Sequence, residues 1–209
     1  MEQVRVFFRK KGNLRYISHL DLQRAMSRAL QRSGLDIVYS EGYNPHPKIA
    51  FALPLSVYIE SEYEIMDFAL YKDEAEDEII KRLISVMPEG LNIYKIAEPK
   101  AKISSCRKAK YRFEFITKKS LEEIQDALSD SIVINKRSKS GERLTEVTHL
   151  ITEKVFFDRE GDIVLEATLA AGGADYLSPN YIVSFLGESI DDCRITRLRL
   201  YGKDGNLLE

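Results

Sequence analysis

The run Val4-Arg5-Val6-Phe7-Phe8 stands near the beginning of the chain and is apolar, β-branched or aromatic at every position but one. It ends at the turn sequence Lys10-Lys11-Gly12-Asn13, so it predicts a strand. A helix is predicted to follow, because Ser18 is a suitable N-cap and apolar residues recur at helical spacing until Gly34. The chain therefore opens with a predicted strand and a predicted helix.

The same order of elements is predicted in both halves of the chain. In the first half, residues 36–39, 49–53, 63–70 and 91–96 predict further strands, and residues 73–87 predict a second helix. In the second half, the predicted strands begin at 111, 132, 155, 163 and 195, and the predicted helices begin at Ser120 and Ser178. The repeated order β-α-β-β-α-β predicts an α+β fold of two tandem ferredoxin-like units with antiparallel sheets.

The boundary between the halves is predicted from a change in composition. Residues 97–110 contain Pro99, two serines and five Lys or Arg residues, without a sustained apolar period. We therefore expect an N-terminal unit at 1–98, a linker at 99–110 and a C-terminal unit at 111–209.

The 209 residues, 44% of them apolar, are enough to bury a hydrophobic core. No apolar run approaches the roughly 20 residues that span a bilayer, and the N-terminus lacks the apolar core of a signal peptide. We therefore expect a cytoplasmic protein that does not enter a membrane. Cys106 and Cys193 are far apart in sequence, which predicts two buried thiols rather than a disulfide framework.

Charge alternates along the chain, although the net charge is only −2. Residues 1–50 and 101–150 have an excess of Lys and Arg, whereas 51–100 and 151–209 have an excess of Asp and Glu. Each half thus begins with a basic segment, which either meets an anionic partner or forms a solvated face. The basic residues between 136 and 143 are interpreted in the same two ways.

The stretch Tyr39-Ser40-Glu41-Gly42-Tyr43-Asn44-Pro45-His46-Pro47-Lys48 predicts a functional loop. Its prolines hold Asn44 and His46 out of helical geometry on a stiffened backbone. Tyr39 and Tyr43 are candidates for stacking on unpaired bases, or else for packing in the core.

The predicted helix after Ser18 carries arginines at successive i,i+4 steps. They form either a basic stripe that follows a phosphate backbone or a solvated helix face. The N-terminus of the same helix favours a bound anion. The predicted anion- or nucleic-acid-binding residues are Arg15, Ser18, Arg24, Arg28, Arg32, Tyr39, Tyr43, Asn44 and Lys48.

His19 and His46 are the candidate catalytic residues. His19 lies in the first turn of the predicted helix, where the helix N-terminus disfavours a protonated imidazole. If the loop brings His46 to the same place, one imidazole accepts the 2′-OH proton of RNA and the other protonates the leaving oxygen. The alternative is that both histidines have local structural roles. No residue spacing predicts a metal or cofactor site.

Motifs in the first 70 residues resemble a known family. Gly12-Asn13-Leu14-Arg15-Tyr16-Ile17-Ser18-His19-Leu20-Asp21-Leu22, followed by Arg28-Ala29-Leu30 and by the loop at 39–48, closely resembles the radical-SAM-linked protein family of bacteria, a domain of unknown function. That domain is fused to a radical SAM protein or encoded beside one, so the resemblance implies a radical SAM partner. The chain has no CxxxCxxC motif for a radical SAM cluster, which implies an accessory protein. A weaker, architectural similarity is to the CRISPR repeat-processing RNA endonucleases.

Three hypotheses for function follow. The leading one is an accessory protein that binds RNA or presents a substrate, catalyses no reaction itself, and works with a radical SAM enzyme. The second is a metal-independent RNA endonuclease that uses His19 and His46. The third is a protein-interaction module that docks the radical SAM partner.

Overall fold

The computed structural model describes residues 2–138 and 141–209, so Lys139 of the predicted basic segment lies outside the described residues. The protein is a mixed α+β chain that divides into two compact units. The first unit contains the residues up to Cys106 together with Leu200–Glu209, and the second unit contains Arg107–Arg199. In the described part of the chain, no helix is long and apolar enough to cross a membrane.

The first unit is built on antiparallel strands. In chain order it contains β1 (Glu2–Lys10), α1 (His19–Arg32), β2 (Ala50–Phe51), β3 (Ile59–Leu70), α2 (Glu76–Ile84) and β4 (Leu91–Ala97). β1 lies between β4 and β3 and is antiparallel to both, and β2 is antiparallel to β3. The predicted β-α-β-β-α-β order of elements is therefore present here, with a very short second strand.

The core of the first unit forms where the apolar face of the strands meets the two helices. Alternate residues of β1 point to this face because side chains alternate along a strand. Apolar residues at helical spacing in α1 and α2 cover them. The buried members from these three elements are Val4, Val6, Phe8, Leu22, Met26, Leu30, Ile79 and Leu83.

Two segments predicted as strands, 36–39 and 49–53, form only short pairings. Ile37 and Tyr39 make isolated bridges, and Ala50–Phe51 is the paired part of the second segment. The prolines between these segments have no N–H to donate, so a regular ladder cannot run through them. The structure therefore has a closed loop and a two-residue strand where two longer strands were expected.

The second unit also contains antiparallel strands and two helices. In chain order it contains β5 (Lys108–Ile116), α3 (Leu121–Ala127), β6 (Val133–Ser138), β7 (Gly141–Glu146), β8 (Ile151–Arg159), β9 (Asp162–Ala170), α4 (Asn180–Leu186) and all but the last two residues of β10 (Asp192–Tyr201). The strand order of its main sheet is β10-β5-β9-β8, and β6 and β7 pair with each other in a separate two-stranded sheet. That separate pair replaces the single interrupted strand predicted from 132.

In the structure, the region predicted as a linker is divided between the two units. Residues 99–106 belong to the first unit, where Cys106 is buried, and β5 begins at Lys108. The last ten residues also belong to the first unit rather than to a C-terminal unit. The hydroxyl of Tyr63 donates to the carbonyl of Leu208 at 3.2 Å, which ties the end of the chain to β3.

A buried arginine joins distant parts of the first unit. The guanidinium of Arg5, fully inaccessible to solvent, donates from Nε and Nη2 to the two carboxylate oxygens of Asp67, each at 2.7 Å. Its remaining hydrogen bonds go to the carbonyls of Glu209 at 2.7 Å and Ala101 at 2.9 Å. Because Arg5 and Asp67 face each other in the register of β1 and β3, the pair also connects two central strands to the end of the chain.

Asp67→Ala is expected to destabilise the protein by about 3–5 kcal/mol, because it leaves a buried guanidinium without its counter-ion. Urea unfolding followed by circular dichroism measures the change. Asp36→Ala is the matched control, since Asp36 meets Lys72 at 3.9 Å on the surface and its loss is expected to cost less than about 1 kcal/mol. Equal losses in the two variants would contradict the importance of the buried pair.

Gly90→Ala is expected to cost about 2–4 kcal/mol. Gly90 has φ +90°, and an added Cβ would lie 2.8 Å from the carbonyl oxygen of Lys11. Gly205→Ala separates the two causes, because Gly205 has φ +79° but open space around the added Cβ. The difference between the two variants in urea unfolding measures the steric contact, and no difference would contradict it.

Candidate functional site

The loop at 39–48 is closed by hydrogen bonds at its base. Tyr39 forms a bridge with Pro47, and the Ser40 N–H donates to the His46 carbonyl at 2.8 Å. The Lys48 N–H donates to the carbonyl of Val38 at 3.0 Å. The loop is therefore a compact hairpin whose two ends are held together by backbone hydrogen bonds.

The imidazole of His46 is oriented by the loop itself. The Oγ of Ser40 accepts the backbone N–H of His46 at 3.1 Å and lies 2.9 Å from Nδ1 of the ring. The carbonyl of Asn44 is 3.3 Å from the same nitrogen. These contacts hold the ring by Nδ1 and set its position relative to the backbone.

The loop and α1 enclose a groove of about 860 Å³. Arg24 and Arg28 enter it from α1, and His46 and Lys48 enter it from the loop. Polar side chains of α1 and residues of β3 also line it: Gln23, Ser27, Gln31, Asp67, Phe68 and Ala69. Four basic or titratable side chains from two separate segments thus meet at one concave surface.

The groove has an excess of positive charge. Arg24 is partly compensated by Asp21 at 3.2 Å, and both side chains are exposed. Asp67 lines the groove, but its two oxygens accept from the buried Arg5. Within the residues that the structure describes, no carboxylate forms an ion pair with Arg28 or Lys48. The Arg24–Asp21 pair is weak because both side chains are exposed. Arg24, Arg28 and Lys48 can therefore exchange their bound water for an anionic ligand.

The N-terminus of α1 is capped by its own side chains. The Oγ of Ser18 accepts the N–H of Asp21 at 3.1 Å and donates to its carboxylate at 2.7 Å. The hydrogen bond from Ser18, and then the neighbouring Arg24, lower the pKa of Asp21 below its usual value. A carboxylate therefore already occupies the first turn, which removes the reason to expect an external anion at Ser18.

His19 does not line the groove with His46. Its ring packs edge-on against Phe51, with the ring centroids 5.2 Å apart. Among the described residues, His46 is the one histidine in the groove lining. A cleavage mechanism with two imidazoles therefore lacks its second imidazole at this surface.

The other predicted binding residues are distributed over different surroundings. Arg32 donates to the carbonyl of Val86 at 2.9 Å and does not line the groove. Of the three predicted arginines of α1, Arg24 and Arg28 therefore reach the groove. Tyr39 packs against the core of the first unit, whereas Tyr43 is fully exposed at the loop. Arg15 and Asn44 are also absent from the groove lining.

Some groove residues were missed by the sequence reasoning. Gln23, Ser27 and Gln31 repeat at i,i+4 along α1, one position away from the arginines, so helical spacing offered a signal for them. Asp67 offered none, because its place in the lining depends on the pairing of β3. Among the described residues, no group of three His, Cys, Asp or Glu side chains is close enough to hold a metal ion.

The second unit holds a thiol of low reactivity. Burial, and then the nearby carboxylates of Asp192 and Glu114, raise the pKa of the Cys193 thiol to about 12. Cys106 in the first unit is buried, whereas Cys193 is partly buried. A thiol with this pKa is not a nucleophile near neutral pH, because the thiolate is the reactive form.

The chain belongs to a bacterial protein family. The family described as "Uncharacterized protein conserved in bacteria (DUF2344)" matches residues 3–179, which is most of the chain. This match confirms the prediction of a bacterial domain of unknown function, while the relation to radical SAM proteins stays a prediction. No curated protein matches the chain.

Several solved structures show a distant similarity. They include the small subunit of acetolactate synthase from Thermotoga maritima, at 8% identity and a TM-score of 0.27, covering 97% of this chain and 98% of that one. Thermus thermophilus Cse3 bound to an RNA representing a pre-cleavage complex has 11% identity and a TM-score of 0.23, covering 91% and 93%. A CRISPR-associated protein from Thermus thermophilus has 12% identity and a TM-score of 0.19, covering 94% and 99%. TM-scores this low carry no argument about function.

Native Cys193 is expected to react with iodoacetamide at pH 8 more slowly than an ordinary thiol, by about tenfold or more, because burial raises its pKa to about 12 and leaves little thiolate. The Cys106→Ala variant isolates Cys193, and mass spectrometry measures the rate of alkylation. The same variant unfolded in urea is the control and is expected to react at the ordinary rate. Equal rates in the folded and unfolded protein would contradict the raised pKa.

Proposed function

We propose that this protein binds single-stranded RNA through the groove between α1 and the 39–48 loop. The observation that carries the proposal is the convergence of Arg24, Arg28, His46 and Lys48 on one groove. Successive i,i+4 positions are about 6 Å apart along a helix, so the two arginines offer separate contacts to a phosphate backbone. Lys48 offers a third contact from the opposite wall.

The dimensions and polar lining of the groove favour an unpaired strand over a duplex. A volume of about 860 Å³ is in the range of sites that enclose small ligands or a few nucleotides. The amides of Gln23 and Gln31 can each donate and accept hydrogen bonds, which suits the edges of unpaired bases. Phosphate contacts then position the strand, and amide contacts add selectivity.

We further propose a binding role without catalysis. The support for this role is that the groove offers one imidazole, whereas cleavage by paired imidazoles needs two. The proposed partner is a radical SAM enzyme in the bacterial cytoplasm, to which the protein would present the RNA. The support for this partner is the resemblance of residues 12–22 and 39–48 to the radical-SAM-linked family.

The two units are proposed to share one ferredoxin-like plan. The order β4-β1-β3, with β2 paired to β3, supports this plan for the first unit. The order β10-β5-β9-β8 supports it for the second, with β6 and β7 as an insertion. In each unit the first strand of the β-α-β-β-α-β order lies between the third and the fourth strand of that order. These neighbours are β3 and β4 for β1, and β9 and β10 for β5.

The variant Arg24→Ala/Arg28→Ala is expected to weaken binding of a short single-stranded RNA by about tenfold or more at low salt. It should also flatten the dependence of the affinity on salt concentration, since two phosphate contacts are lost. Fluorescence anisotropy of a labelled RNA at several salt concentrations measures both quantities.

Arg32→Ala is the matched control, because Arg32 lies on the same helix but binds the carbonyl of Val86. It is expected to leave the affinity and the salt dependence near those of the unaltered protein. Absence of binding by the unaltered protein at low salt would overturn the proposal and favour the protein-docking hypothesis. An equal effect of Arg32→Ala would show that binding uses the helix without the groove.

A further inference from the structure

Two exposed tyrosines form a fixed aromatic pair near the start of α1. The rings of Tyr16 and Tyr58 meet edge to face, with centroids 5.7 Å apart and an interplanar angle of 83°. Tyr58 is 70% exposed and Tyr16 is 49% exposed. The guanidinium of Arg15 lies over the Tyr16 ring at 4.8 Å and donates to its hydroxyl. Most of this aromatic surface thus faces solvent instead of stabilising a core.

Tyr58 has a backbone conformation that is unfavourable for a residue with a large side chain. Its φ is +71°, in the left-handed region where glycine and asparagine are usual and a bulky residue is an outlier. Its N–H donates to the carbonyl of Arg15 at 2.7 Å, which holds it beside Tyr16. A ring that is mostly exposed contributes little through burial, so the fold alone does not account for a tyrosine at this position.

One face of α1 leads from its first turn, close in sequence to Tyr16, to the arginines of the groove. Leu20, Arg24 and Arg28 follow one another at i,i+4 steps, and Leu20 is 53% exposed. From Leu20 to Arg28 the helix advances about 12 Å, a distance that a few nucleotides can span. A strand held at the arginines can therefore reach the beginning of the helix, where Arg15 and the two tyrosines lie.

We propose that the Tyr16–Tyr58 pair is a stacking platform for an unpaired base of the RNA held in the groove, a proposal that rests on the function proposed above. Aromatic faces and guanidinium planes are the surfaces on which proteins stack unpaired bases. The guanidinium of Arg15 puts positive charge beside the pair, which favours a polyanion over an apolar peptide. Tyr58 would supply the open ring, and Tyr16, held by Arg15, would support it.

A single-stranded RNA that contains 2-aminopurine tests this platform, because stacking of that base on an aromatic ring quenches its fluorescence. The unaltered protein is expected to quench the fluorescence on binding. Tyr58→Asn is expected to abolish the quenching and weaken binding about tenfold, while the salt dependence stays unchanged. Since asparagine tolerates positive φ, the variant is expected to have an unchanged or higher Tm. Tyr71→Asn, which removes another exposed ring of the first unit, is the control.

The possible results separate the two proposals. RNA binding that depends on Arg24 and Arg28 but is insensitive to Tyr58→Asn would overturn the platform and leave the groove intact. A lower Tm of Tyr58→Asn together with weaker binding would show that the ring is structural, which also overturns the platform. If the unaltered protein binds no RNA at low salt, both the platform and the proposed function fail.

Discussion

The buried ion pair of Arg5 and Asp67 is the interaction on which the arrangement of the first unit depends. A guanidinium removed from water is costly unless its donors are satisfied, and here they reach a bidentate carboxylate and two carbonyls. Because these acceptors come from β3, the segment at Ala101 and the last residue of the chain, one side chain holds three distant segments together. Residues of β3 beside Asp67 line the groove, so the pair also supports one side of the candidate site.

A second constraint comes from the loop at 39–48. Its prolines stop the ladder, and the Ser40–His46 hydrogen bonds close the loop into a hairpin that places His46 and Lys48 opposite α1. The helix contributes charge in regular steps, whereas the loop contributes it from a stiff, irregular segment. An anion in the groove therefore meets donors whose backbones are already ordered, which reduces the entropy lost on binding.

Local rules predicted part of this structure well. The N-caps at Ser18 and Ser120 and the core face of α1 follow from short-range hydrogen bonding and helical periodicity, and the structure contains them. The short pairings around Ile37 and Ala50 could not be predicted from local rules, because pairing depends on which strand edge is available rather than on local preference. For the same reason, composition and periodicity could not predict that the last ten residues belong to the first unit.

The sequence by itself determined both helices of each unit, the stiffness of the loop and the arginines of α1, since these depend on residues close together in the chain. Only the tertiary structure decided which charged groups share a surface. It brought Arg24, Arg28, His46 and Lys48 to one groove, turned Arg32 toward Val86 and packed His19 against Phe51. The physical reason is that such convergence depends on strand pairing and on a buried ion pair whose partners are separated by sixty-two residues.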